Sequence, residues 1–350
     1  MSNRNPEYNL GSSKPLINRE QNYVLDRKLV TVHSEDRDIT KWPNSNTFEI
    51  MLPETLLNVQ SLRLIQSTMP GIFYTFSNEY QNTKFQFTLN NTVRTVDIQD
   101  GYYTPCQLSQ ELTNVMNTAT NSDASFNVFY DKVKHKFWFG HTDLSFNLNF
   151  NTQIIYDFSN CEQPIVWNNY SKWGLPYYLG FQKQQYKSSI NTDGISFDYI
   201  CPNNVSTTSL SKITNYIEAP LSFNITGETC IYMEVEKYNN YDELYPYSQS
   251  SRQMYGNNAY DGKVNSAFAK IPIQHKDDFS FDSRTFFLQN MVQYDPPIER
   301  ITRLKFKFRF HDGRLVNFQN FPFDFSLEFN SLRNEINKQY NVRIPASYKL

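Results

Sequence analysis

Apolar residues return at every second position along much of the chain, and that period predicts β-strands. LVTVHS, from Leu29, predicts a short first strand. Phe48, Ile50 and Leu52 alternate with Thr47, Glu49 and Met51 and predict a second. VQSLRLIQSTMP repeats the alternation through Leu62 and Leu64 until Pro70 stops it. Phe85, Phe87 and Leu89 mark one arm of a hairpin, with Val93, Thr95 and Val96 on its return. FNVFYD, KFWFG and LSFNLNF predict three more short strands, and CIYMEVEKY alternates through Ile231, Met233 and Val235. AFAKIPI is a strand closed by a proline, and FDFSLEF is a last one through Phe323, Phe325, Leu327 and Phe329. The clearest hairpin is RLKFKFRFHDGRLVNF. There Phe306, Phe308 and Phe310 share a face with Leu304, while Lys305, Lys307 and Arg309 share the face expected in solvent. Asp312-Gly313 is expected to supply the positive φ angles of a type I′ turn.

One segment has the longer period of a helix. In TPCQLSQELTNVMNTA, Thr104 reads as N-cap, Pro105 as N1 and Gln107 as the reciprocal partner of a capping box. Leu108, Leu112, Val115 and Met116 then fall on one apolar stripe.

The order of these elements predicts a mainly β protein: an antiparallel jelly-roll-like β-sandwich with an inserted small α+β module. The body is expected from residues 30–76 plus 215–330, and the module from 77–214. WGLPYYLGF, within the module, reads as part of a long Tyr-rich loop, and Asn239 to Gly262 as another exposed loop. Residues 1–29, polar and carrying Pro6 and Pro15, read as an extended arm, and 331–350 as a C-terminal tail.

Composition narrows the function classes. A net charge of −2 gives no electrostatic reason to expect nucleic acid as a partner. No run approaches the length of a membrane span, and the N-terminal stretch has no apolar core of a signal peptide. The aromatic share is 16%, with 28 Phe and 24 Tyr, which favours strands and large packed surfaces. Cys106, Cys161, Cys201 and Cys230 are scattered without metal-ligand spacing, so they are expected to be single apolar residues of a reducing compartment.

The local chemistry is sparse. No phosphate-binding loop, dinucleotide fingerprint, nucleophile elbow or metalloprotease helix occurs, and no catalytic, cofactor or metal residue is assigned. The densest cluster is HSEDRDITKWPNSNTFEIMLPE, residues 33–54. His33, Glu35, Asp36 and Asp38 could hold a cation or relay a proton, but charge knots between strands are usually solvated faces, so a polar turn after a strand is the favoured reading. The turn reading makes Arg37 a hydrogen-bonding fork among its neighbours. The KFKFRF strand could bind nucleic acid through its bases and aromatics, but alternation puts its rings inside and its charges outside. The Tyr-rich stretch 238–260 could stack on glycans or contact a partner. Arg37, Asp36, Asp38, Trp42, Phe48, Asp312 and Gly313 are therefore taken as structural or interface residues.

Three stretches resemble a known group. SEDRDITKWPNSNTFEIMLPE followed by NVQSLRLIQSTMP, the DGYYTPCQLSQEL segment, and RLKFKFRFHDGRLVNFQNFPFDFSLEF are similar to strand motifs of proteins from large icosahedral double-stranded DNA viruses, the giant-virus group. The resemblance spans most of residues 30 to 330 and points to minor capsid or penton (vertex) proteins built on a jelly roll. It implies a structural virion protein rather than an enzyme, with no cofactor. Its partners would be the major capsid protein, other minor capsid proteins and further copies of itself, five at a vertex. The inserted module exceeds a minimal penton jelly roll. The rival expectation is a virion attachment protein that binds glycans through its Tyr-rich loops.

Overall fold

The computed structural model of the chain describes residues 23–71, 73–121, 125–156, 167, 171–191, 200–201, 213–244, 264–273, 280–282 and 292–334. Its strands are β1 (Tyr23–His33), β2 (Thr47–Pro70), β3 (Lys84–Leu89), β4 (Thr92–Asp97), β5 (Phe126–Asp131) and β6 (Lys136–His141). Then come β7 (Phe146–Asn149), β8 (Gln185–Lys187), β9 (Ser189–Ile190), β10 (Ile200–Cys201), β11 (Asn215–Glu218) and β12 (Cys230–Val235). The last are β13 (Tyr241–Leu244), β14 (Val264–Ala267), β15 (Ala269–Pro272), β16 (Ser280–Asp282), β17 (Val292–Arg309) and β18 (Asp324–Asn334). The described residues include the α-helices α1 (Pro105–Thr120) and α2 (Leu175–Tyr178).

The protein is mainly β and antiparallel. A seven-stranded sheet in the order β1-β18-β2-β17-β12-β15, with β16 also on β2, curls into a half-barrel that forms the body. Alternation decides which face it buries. Phe48, Phe306, Phe308, Phe325, Leu327 and Phe329 all point inward and are fully buried. Their rings pack edge to face, with Phe308 and Phe323 at 5.1 Å and Phe306 and Phe325 at 4.9 Å. Burying each such side chain contributes about 1.5–3 kcal/mol.

The two strands expected around residues 47–52 and 59–70 are one 24-residue strand, β2. Pro53 does not end it, because it lies within a register shift between the pairs Met51–Arg303 and Leu56–Ile301. A ladder already interrupted there loses nothing to a residue without an N–H. β17 likewise runs on through Pro296 and Pro297 across a second shift. The first strand starts at Tyr23, so residues 23–29 belong to the sheet rather than to an arm, and β18 runs on into the expected tail as far as Asn334. The physical reason is pairing: Tyr23 to His33 face Asn334 to Asp324 without a break. Residues 1–22 and 335–350 lie outside the described residues.

Between β2 and β12 lies a second hydrophobic core. A four-stranded sheet, β4-β3-β7-β8, and a five-stranded sheet, β10-β5-β6-β11-β9, enclose it together with α1. β11 pairs with β6 and so belongs here rather than to the body, where its sequence position had been assigned. The capping box of α1 forms as expected: the Thr104 hydroxyl accepts from Gln107 N–H and the Gln107 carboxamide oxygen accepts from Thr104 N–H. Leu108, Leu112 and Met116 are fully buried, with Val115 partly so. WGLPYYLGF is not a loop over the surface. Trp173, Leu175, Tyr178, Leu179 and Phe181 are core residues around α2. Gly180 closes that segment at φ +86°, and a Cβ there would meet Leu221 O at 2.2 Å. Gly180→Ala should therefore lower stability by about 2–4 kcal/mol, measured as a shift in the urea unfolding midpoint. An unchanged midpoint would mean that the α2 segment is not fixed against the 221–222 backbone.

Two of the four cysteines are not single apolar residues. Cys106, in the first turn of α1, is joined to Cys201 of β10 by a disulfide with Cα atoms 5.2 Å apart. Sequence could not reveal this pair, because its members lie 95 residues apart and become neighbours only when α1 packs beside β10. Cys230 is a free, buried thiol, and Cys161 lies outside the described residues.

Candidate functional site

The charged knot follows β1 as a 3₁₀ turn, Ser34–Asp36. Its polar groups hold backbone. Arg37 donates from Nε to Trp42 O at 3.1 Å, from Nη1 to Ser34 O at 2.5 Å and from Nη2 to Pro43 O at 3.2 Å. The expected fork is present, but it grips three carbonyls rather than neighbouring carboxylates. Asp36 Oδ2 accepts from His33 N–H at 3.0 Å, and Asp38 Oδ1 accepts from the N–H groups of Thr40 and Lys41 at 3.0 and 3.3 Å. Asp36 thus reaches back to the residue before the 3₁₀ turn, as in a capping box, and Asp38 makes the turn bonds of a short acidic side chain with its own following backbone. Among the described residues, no group of three or more His, Cys, Asp or Glu could hold a metal ion.

Trp42 is half-buried against the body core, with Lys41 and Lys305 Nζ at 5.4 and 5.7 Å from its ring centroid. Phe48 is entirely inside, 5.5 Å from the Phe306 ring, and is a packing residue with no surface to offer a partner. The loop after Arg37 projects Ile39, 63% exposed. Ser34 N–H donates to Phe323 O and Phe323 N–H to Ser34 Oγ, which brings the 319–322 loop, with Phe321 44% exposed, to the same end of the body.

Asp312 and Gly313 form the turn after β17, but not as a type I′ pair. Only Gly313 takes a positive φ, +89°, and Gly313 N–H donates to Phe310 O at 3.1 Å. Asp312 has another task. Its carboxylate accepts from Arg314 N–H at 3.0 Å and pairs with Arg314 Nε. Arg314 Nη2 reaches Glu228 Oε1 at 3.1 Å, which also takes Lys172 Nζ at 2.7 Å. The Arg314 guanidinium lies 4.2 Å from the Tyr80 ring centroid. Burial alone would make the guanidinium easier to deprotonate, but Asp312 and Glu228 override it and hold the charge. This cluster forms the joint between the two cores, since Phe310 and Phe73 beside it belong to one and Tyr178 to the other.

Arg309 departs most from its sequence position. Alternation places it beside Lys305 and Lys307, yet its side chain is 1% exposed. The β13–β14 ribbon covers that end of the outer face. Arg309 Nε pairs with Glu234, Nη1 donates to Glu243 Oε1 at 2.5 Å, and Nη2 to Ser266 O at 3.4 Å. His311 Nδ1 lies 3.1 Å from Glu243 Oε2. Burial would raise the Glu243 carboxyl, but hydrogen bonds from His311 and Arg309 hold it below the usual carboxylate range. Glu243 belongs to a stretch expected as an exposed loop; its strand β13 pairs with β14 from Tyr241–Ala267 to Leu244–Val264. Residues 245–260 of the Tyr-rich stretch lie outside the described residues.

A third ion cluster sits on the outer face of β1, β18 and β2. Glu328 is 5% exposed and takes Arg63 at 3.0 Å, Arg27, and Asn330 Nδ2 at 3.1 Å. Burial pushes its carboxyl up, but Arg63, Asn330 and Arg27 outweigh burial and lower it. A carboxylate lowered by folding adds stability above its unfolded pKa and loses it as pH falls through the folded value. Glu328→Gln should therefore cost about 1–3 kcal/mol at neutral pH, and the gap to wild type should close below about pH 4. Urea midpoints from pH 3 to 8 read this directly; a pH-independent gap would mean the carboxylate charge is not what Arg63 holds.

Among the described residues, no helix is long and apolar enough to cross a membrane. No protein-family model matches the chain, and no curated protein matches it. Among solved structures, the crystal structure of mavirus penton protein is similar, with a TM-score of 0.44 and 10% identity over 88% of this chain and 99% of that one. At that identity and TM-score the likeness assigns the chain to no family.

Proposed function

We propose that this chain is a structural virion protein, a penton (vertex) or other minor capsid component of a large icosahedral double-stranded DNA virus, which acts by assembly with the major capsid protein. The observation that carries this reading is the use to which the charged knot is put. Arg37, Asp36 and Asp38 spend their hydrogen bonds on backbone, and the rigid turn they make holds Ile39 out at the end where Phe321 also projects. Fixed apolar tips on a charge-satisfied surface suit contact with a neighbouring subunit. The sequence motifs of residues 34–54 and 303–329, which resemble capsid proteins of such viruses, fall on this end and on the strands behind it. The module between β2 and β12 would face outward or bridge to the major capsid protein. Tyr23 pairs with Asn334 at the edge of the body sheet, and the polar arm and tail outside that pair would contact neighbours.

Light scattering of the purified chain, alone and mixed with the major capsid protein, tests the reading. A five-membered ring supports a vertex role; a monomer that joins the major capsid protein supports a minor one. Ile39→Asp with Phe321→Asp should abolish either association while leaving the melting temperature unchanged. A chain that associates with neither itself nor the major capsid protein would overturn the proposal.

A further inference from the structure

The joint between the two cores opens on one side into a pair of polar basins. One basin, about 380 Å³, lies against the polar face of α1. A second, also about 380 Å³, adjoins it toward the body. Asp100 lines both, so the two adjoin there. Gln107, Gln110, Glu111 and Asn114 stand at the helix spacing that faces away from Leu108, Leu112 and Met116, so the helix presents carboxamides and a carboxylate to the first basin. Gln99 and Tyr102 complete that wall, with Tyr102 39% exposed. In the second basin Asn78, Asn317 and Gln319 supply carboxamides, and Tyr74, also 39% exposed, supplies a ring.

Three properties select a ligand class. Neither basin has a Lys or Arg among its lining residues, while Asp100, Glu79 and Glu111 are present, which disfavours phosphate, sulfate, sialic acid and nucleic acid. The acidic surroundings register on Tyr103, whose phenol is pushed up to about 12 by burial, then by Glu111 and Asp100. The walls are polar and open, unlike the apolar, enclosed sites of drug-like molecules. Planar carboxamides and carboxylates offer paired donors and acceptors, and exposed tyrosine rings offer a face for aliphatic C–H groups.

We infer that the two adjoining basins between Asn114 and Gln319 bind a neutral oligosaccharide, with Tyr102 and Tyr74 stacking on sugar faces and the carboxamides of Gln110 and Asn114 taking its hydroxyls. Asp100 positions the wall between the basins, since its carboxylate accepts from Asn78 N–H at 3.0 Å and from the Ser77 hydroxyl at 3.1 Å. The site shares no lining residue with the described part of the Tyr-rich stretch, 238–244, and does not depend on how the chain assembles.

The test is binding of the full-length protein to immobilised neutral, sialylated and sulfated oligosaccharides, with the best neutral compound then titrated by calorimetry. Saturable binding to neutral glycans is expected, with none to the sialylated or sulfated sets. Tyr102→Ala and Asn114→Ala should each weaken the titrated affinity about tenfold. Both side chains are exposed, so the melting temperature should not move and the subunit mass by light scattering should stay that of the wild type. That second readout separates failure here from failure of the capsid reading. Absence of any neutral-glycan binding would overturn the inference. So would binding that both substitutions leave unchanged, or basins that take pentalysine in place of sugars.

Discussion

Arg309→Ala should destabilise the protein by about 3–5 kcal/mol, the largest effect expected of any single charged residue here. The reason is what it leaves behind. Glu243 has a side chain 6% exposed and Glu234 one 18% exposed, and both are held by the same guanidinium. Without it, a buried carboxylate loses its counter-charge and must either stay ionised in a poor solvent or take up a proton. The loss has a location as well as a size. Arg309 joins β17 to Glu234 on β12, to Glu243 on β13 and to Ser266 on β14, so hydrogen exchange should quicken in the 241–244 and 264–267 strands before the body sheet loosens. Arg309→Lys should recover little, because a single ammonium cannot serve two carboxylates and a carbonyl with the geometry of a planar fork. A double variant, Arg309→Met with Glu243→Leu, removes both charges together and should recover much of the loss. Guanidinium unfolding midpoints of the three variants decide the matter. An Arg309→Ala protein within about 1 kcal/mol of wild type would mean that water reaches the network and that the β13–β14 ribbon does not seal it.

Loss of the Cys106–Cys201 bond should cost a comparable amount. The bond closes a loop of 95 residues, for which the chain-entropy estimate lies near the upper end of the usual range of about 2–5 kcal/mol. It fastens the first turn of α1 to β10, where Ser109 Oγ also reaches Cys201 O at 3.3 Å. Reductant, or Cys106→Ser with Cys201→Ser, should lower the melting temperature of the second core, and calorimetry should show that core melting ahead of the body. Non-reducing peptide mapping must first find the linked pair in protein isolated from its natural source. A free Cys106 thiol there, or equal melting temperatures with and without reductant, would remove the bond from the account of stability.

Both predictions concern features that the linear pattern hid, and the reason is common to them. Alternation reports the two faces of a strand but not what lies over either face. Lys305, Lys307 and Arg309 are equivalent in sequence; they differ because the β13–β14 ribbon crosses the outer face only at the Arg309 end. A cysteine pair that spans α1 and β10 has no spacing rule to announce it. The length of β2 was hidden for a related reason. A proline in a strand reads as a stop, and whether the ladder tolerates it depends on the partner strand, which here shifts register opposite Pro53.

Where the physics is local, the chain by itself determined the outcome. The period-two apolar residues placed Phe306, Phe308, Phe325 and Phe329 inside. Thr104, Pro105 and Gln107 set the start of α1, and the three carbonyls that Arg37 grips all lie within six residues of it. The tertiary structure alone decided which charges are buried, which strands join which sheet, and where Asp312 and Arg314 meet Glu228 to tie one core to the other. Those are contacts between segments far apart in sequence. Their energies depend on burial and counter-charge, which no residue carries until the chain has folded around it.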